Sequence, residues 1–175
     1  AVCCWFKPHG SIVGLDKTIF TLGNLDVTWQ FVAAGAFYGR LRGSLDASIY
    51  AYDGASAMIP GGWSSVIIGI DDPHPAFTSL PRTVSAWLNG TLVASATGSG
   101  FHWAHQQCKL NSAFGPALPS NPVGGCFAEF SVHACTPNAE FAELHAGGVD
   151  PRSLPNCVEH WPLAGSLANS LRPPK

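Results

Sequence analysis

Leu25, Val27, Trp29 and Phe31 alternate with Asp26, Thr28 and Gln30. A period of two with one polar face predicts a half-buried antiparallel strand over Leu25–Phe31. The alternation is longer across residues 37–52. Phe37, Leu41, Leu45, Ile49 and Ala51 fall on one side; Tyr38, Arg40, Arg42, Ser44, Asp46, Ser48 and Tyr50 fall on the other. Gly39 and Gly43 sit on the apolar side, where a bulge or a close backbone approach is expected. Short apolar runs at residues 11–15 and 18–22 are split by Asp16 and Lys17. The run over residues 63–70 predicts another strand, bounded by Pro60, Gly61 and Gly62 before it and Asp71, Asp72 and Pro73 after it. Residues 83–89 and 91–97 predict a hairpin closed by Asn89 and Gly90. That pair suits a type I′ turn, whose two central residues both need positive φ. Residues 101–107 and 126–133 predict further strands, and the Pro- and Gly-rich stretch 111–125 predicts a long loop.

One helix is expected. Thr136 can cap it, Pro137 suits its first position, residues 139–146 continue it, and Gly147 can stop it. Phe141, Leu144 and His145 share one face by their spacing. From Pro151 onward the chain is rich in proline, which predicts an extended tail or one pinned by Cys157 and Trp161. About eight strands and one short C-terminal helix predict a mostly β fold. The expected form is an antiparallel β-sandwich of jelly-roll or immunoglobulin-like type, stabilised by disulfides. Residues 1–160 are expected to form that single domain, with residues 161–175 an extended tail.

Composition sharpens this reading. The chain has 175 residues, enough for one domain with a real core. Charged residues are only 11% of it, against about 25% in an average globular domain. Gly, Pro, Ser, Thr and Ala fill the deficit, which suits a loop-rich β protein. A charge-poor surface also loses less when a partner covers it. The net charge is −2 and the nine Lys and Arg form no stripe, so nucleic acid is not an expected partner. No apolar run is long enough for a helical membrane span.

The six cysteines are Cys3, Cys4, Cys108, Cys126, Cys135 and Cys157. Their even number and the lack of any C-x-x-C spacing predict a disulfide framework rather than a metal site. Cys3 and Cys4 are adjacent and would be strained if bonded together, so they are expected to reach different partners and tie the N-terminal segment to the later half. The chain starts at Ala1, as a processed secreted protein would. Location outside the cell, or on its surface, is the expectation.

Four groups could carry chemistry. Asp71, Asp72 and His74, with His102 and His105, are carboxylates and imidazoles, the usual metal ligands and acid–base groups. Their spacing fits no standard ligand motif, and a polar turn explains Asp71 to His74 as well. No G-x-S-x-G elbow is present for a serine hydrolase, since Met58 stands where the last glycine should be. Glu129, between Phe127 and Phe130, is a strand carboxylate that would need a second carboxylate across a cleft to hydrolyse a glycoside. An outward-facing strand residue is the simpler account. The six tryptophans form the fourth group. Trp63, beside two glycines, and Trp103, between two histidines, are candidates for stacking on a sugar or a protein. Asn89, Gly90 and Thr91 also spell a glycosylation sequon, though the turn alone explains them.

The leading functional expectation is a structural subunit of an extracellular assembly such as a filament, coat or virion. Its partners would be copies of itself or other subunits. The alternative is a secreted carbohydrate-binding module using Trp63, Trp103, Asp71, Asp72 and His74. A small secreted hydrolase centred on Asp71 to His74 is a third reading. No cofactor and no metal are expected.

Overall fold

A computed structural model describes residues 1–8, 16–22, 25–31, 37–43, 49–54, 61–71, 81–98, 108–110 and 125–163. The strands are β1 (Val2–Pro8), β2 (Asp16–Leu22), β3 (Leu25–Phe31), β4 (Phe37–Gly43), β5 (Ile49–Gly54), β6 (Ser64–Asp71), β7 (Arg82–Leu88), β8 (Thr91–Gly98), β9 (Cys108–Leu110), β10 (Gly125–His133) and β11 (Cys157–Trp161). One helix, α1 (Ala139–Ala146), and one 3-10 turn (Pro151–Ser153) lie between β10 and β11. The strands form two antiparallel sheets. The six-stranded sheet has the order β11-β10-β1-β6-β7-β8, and the five-stranded sheet the order β5-β4-β3-β2-β9. The chain is mostly antiparallel β with one short helix, as expected.

Several elements fall where the pattern puts them. β3 spans the alternating segment end to end. The hairpin of β7 and β8 turns at Asn89 (φ 49°) and Gly90 (φ 84°), the positive pair a type I′ turn needs. The long alternation over residues 37–52 is not one strand. It splits into β4 and β5, paired so that Phe37 faces Gly54 and Arg42 faces Ile49. Alternation records which face a residue takes, and a hairpin keeps that record on both sides of its turn. The predicted strand over residues 11–15, the strand over 101–107 and most of the long loop lie outside the described residues.

The N-terminal segment is a central strand. β1 pairs with β6 on one side and β10 on the other, bringing Val2 opposite both Ile68 and Val132. Main-chain ladders therefore tie the N-terminal segment to the later half. The expected disulfide framework does not appear among the described residues, where Cys3, Cys126, Cys135 and Cys157 are thiols. Consecutive strand residues point to opposite faces, which separates Cys3 from Cys4. The Cys135 and Cys157 thiols lie near the Pro155 and Glu159 carbonyls, at 3.8 and 3.7 Å.

β6 is buried from Ser64 to Ile70. A strand buried without alternation is covered on both faces. On one of them α1 packs over Cys3, Ile67 and Trp87 through Phe141 and Ala142. Gly69 permits this approach, because a Cβ there would come within 2.7 Å of Ser85 Oγ and closer still to the Pro137 ring. Pro137 is thus a packing residue outside the helix. The N-cap is Asn138, not Thr136, and its Oδ1 accepts from the Phe141 N–H at 2.9 Å. Leu144, placed on the apolar face by spacing, is exposed, and Phe141, Ala142 and His145 are the buried set. The C-terminal segment is not simply extended, since β11 joins β10 as an edge strand. No described helix is long and apolar enough to cross a membrane.

Candidate functional site

β1 runs antiparallel to both its neighbours, so its start gathers the ends of β6 and β10. A wide-mouthed cavity of about 390 Å³ lies there. Ligand pockets commonly span roughly 300–1,000 Å³, so this one is small but usable. Ile70, Val132 and Val158 give it aliphatic walls, and Asp71, His133 and Thr136 give it polar ones. Asp71 is exposed and pairs with Thr83 at the end of β6. Its carboxylate is an acceptor at the rim.

His133 closes the inner side. Its ring is almost fully buried. Nδ1 donates to the Pro155 carbonyl at 3.0 Å, which leaves Nε2 to accept from Ser131 Oγ at 3.0 Å. Burial holds its pKa below the usual histidine range, which favours this neutral form. The Ala1 amine, also on the cavity wall, donates to the His133 and Cys135 carbonyls at 2.6 and 2.9 Å. Its pKa is lowered by burial, and burial pushes the Cys3 thiol up, which makes it a poor nucleophile.

The two sequence candidates that are described, Trp63 and Asp71, do not lie together. Trp63 is half-buried just before β6, and Asp71 ends that strand. Eight residue steps at about 3.3 Å put them roughly 26 Å apart. Asp72, His74, His102, Trp103 and His105 lie outside the described residues. Trp5 and Trp87 are core residues. Asn89 is exposed, but its Oδ1 accepts from the Ser65 N–H at 2.9 Å and so locks the hairpin to β6.

A second polar cluster sits near the β11 edge. Cys3 faces Ser131 and Trp5 faces Ala128, so Glu129 and Phe130 together oppose Cys4 in a β-bulge. Glu129 takes φ 50° there. Its Oε2 accepts from His160 Nε2–H at 2.7 Å. The carboxylate expected to face solvent or a second carboxylate is instead paired with an imidazole. Glu140, Glu143 and Glu159 are all exposed. Trp161, at 44% exposure, has its ring 5.6 Å from Phe130. Sequence reading missed this cluster because the C-terminal prolines hid β11. Cys157–Trp161 carries no alternation of apolar and polar residues, so no local pattern marked it. Among the described residues, no group of three or more His, Cys, Asp or Glu could hold a metal ion.

No protein-family model and no curated protein matches this chain. Solved structures do. A "putative carbohydrate binding protein" from Bacteroides ovatus superposes with a TM-score of 0.64 at 17% identity, over 94% of this chain and 46% of its own. The chain therefore spans less than half the length of that protein. A native heptameric SAP-like pentraxin from Limulus polyphemus superposes with a TM-score of 0.58 at 13% identity, over 91% of this chain and 76% of its own. At such identities the likeness carries the fold: this chain has the architecture of these β-sandwich-like proteins.

Proposed function

We propose that this chain is a carbohydrate-binding β-sandwich module whose ligand site is the cavity beside Asp71. The observation that carries the reading is the lining of that cavity: one exposed carboxylate and a threonine hydroxyl beside three aliphatic side chains. A sugar ring needs this mixture. Its C–H face packs on Ile70, Val132 and Val158, and its hydroxyls donate to the Asp71 carboxylate, a charge-assisted bond. The fold shared with the Bacteroides ovatus protein supports the reading but does not carry it, since one fold hosts many functions. A secreted location belongs to the same proposal.

The test is a glycan array, followed by calorimetry on any hit, with wild type, Asp71→Ala and Thr136→Ala. Asp71→Ala should weaken binding at least tenfold, about 1.4 kcal/mol, and leave the circular dichroism spectrum unchanged. A glycan bound equally by all three proteins would exclude this cavity, and an empty array would exclude the reading.

One observation favours a second reading, an assembly subunit. Val158, Trp161 and Leu163 expose 60, 44 and 43% of their surfaces along the β11 edge. An edge strand with apolar side chains is a place where another chain can add.

A further inference from the structure

We propose that α1 is an acid-released latch, held on the six-stranded sheet by a buried neutral imidazole, His145. The geometry leaves no room for a charge on that ring. His145 is fully buried in the last turn of α1. Its plane stacks on Trp5, with ring centres 5.8 Å apart and 21° between planes. Nδ1 lies 2.7 Å from Ser65 Oγ on β6. Nε2 is buried and meets no partner among the described residues. The tautomer with hydrogen on Nδ1 leaves only a bare acceptor at Nε2. A second proton would bury a charge and an N–H donor with nothing to receive it, the more costly defect.

Among the described residues, the surroundings offer the cation no compensation. β1 presents Trp5 and β6 presents Ser65, neither charged. Glu140 and Glu143 of α1 are exposed. The titratable group acting on His145 is His133 of β10, whose charge would repel it. His133 in turn feels the Ala1 amine and His160, which also oppose its protonation. Behind His160 stands Glu129, hydrogen-bonded to it, and the Cys3 and Cys135 thiols are neutral with raised pKa values. The ring of His133 also meets Phe141 of α1 edge-on, with centres 5.0 Å apart. The C-terminal end of a helix dipole favours a cation, but by about 2 kcal/mol at most. Desolvation outweighs it and holds the docked pKa down at about 3, against an ordinary value of 6.5.

The sign follows. The docked state holds fewer protons than the released state between these two pH values. Docking is therefore complete above pH 6.5 and weakens as pH falls, by up to tenfold per unit. Between pH 7.5 and 4.5 the docking constant should drop about 90-fold. Release would uncover Trp5, Ile67 and Trp87. It would also shift Thr136, which leads into α1 and lines the cavity, so acid would reshape the ligand site. That last consequence rests on the carbohydrate reading; the latch does not.

The test is hydrogen exchange read by mass spectrometry at pH 7.5 and 4.5, corrected for the intrinsic exchange rate. Wild type should lose protection across residues 139–146 at pH 4.5 while β6 and β7 keep theirs. His145→Asn keeps a polar group for Ser65 but cannot titrate, so its α1 protection should be the same at both pH values. Gly69→Ala pushes Pro137 off the sheet and should release α1 at pH 7.5, which shows that the readout detects release. The proposal is overturned if wild-type α1 stays protected at pH 4.5, if β6 and β7 open with it, or if His145→Asn keeps the acid response. Glycan binding is absent from this readout, so the two proposals fail separately.

Discussion

Individual residues decide how the polar groups of the fold are satisfied. Asn138 covers a helix N–H that no main-chain acceptor reaches. Asn138→Ala should cost about 1 kcal/mol of stability, measured by urea denaturation at pH 7.5. Glu129 is a sharper case, because it combines a left-handed backbone with a side-chain bond to His160. Glu129→Ala loses the bond and keeps the strain. Glu129→Gly loses the bond but relieves the strain, which is on the order of 1 kcal/mol. The glycine variant should therefore have the higher urea midpoint, and the reverse order would show that the φ value carries no strain. Neither role was legible in the sequence. Asn138 was passed over because Thr136 and Pro137 make an equally good local start. A bulge has no composition of its own, since it arises from the mismatch between two strands.

At the level of elements, turns were easier to read than edges. Asn89 and Gly90 placed the β7–β8 hairpin because their backbone preference is local. Gly90→Val puts a β-branched residue at φ 84°, where it is strongly disfavoured. It should destabilise the protein by about 1–2 kcal/mol, seen as a lower urea midpoint. The apolar run Val66, Ile67 and Ile68 likewise signalled a strand, and the structure shows it buried throughout. β1 and β11 were missed for opposite reasons. β1 reads as a cysteine-bearing terminus, yet it lies between β6 and β10. β11 carries Val158 and Trp161 on an edge, after prolines that suggest no strand at all.

For the whole molecule, the response to acid draws on two buried neutral imidazoles among the described residues. His133 and His145 both have lowered pKa values, chiefly from burial. The unfolded chain takes up protons near pH 6.5 and the folded one resists, so stability is full above that pH and falls below it. Each imidazole contributes a slope of up to about 1.4 kcal/mol per pH unit, and His145 sustains it for as long as α1 stays docked. Urea midpoints at pH 7.5, 6 and 5 should decline, and His145→Asn should flatten the decline. The assembly reading belongs to this scale too. If the β11 edge joins copies, light scattering should show a particle larger than one chain, and Trp161→Asp should return it to the monomer. A monomeric wild type would leave Val158 and Trp161 as isolated surface residues.

The sequence alone determined the local features: the strand character of most of the chain, the hairpin at Asn89 and Gly90, the single helix, and Asp71 as a candidate carboxylate. These depend on backbone preference and on the period of apolar residues, which act over a few positions. Tertiary structure decided everything that joins distant positions. It brought Val2 between Ile68 and Val132, and so placed the cavity where β1 begins. It left Trp63 at the far end of β6, kept Cys3, Cys126, Cys135 and Cys157 as thiols, and set His145 of the helix against Ser65 of the sheet. Such contacts span up to 130 residues. They are chosen by which apolar faces can be covered together, a property of the whole chain that no local window contains.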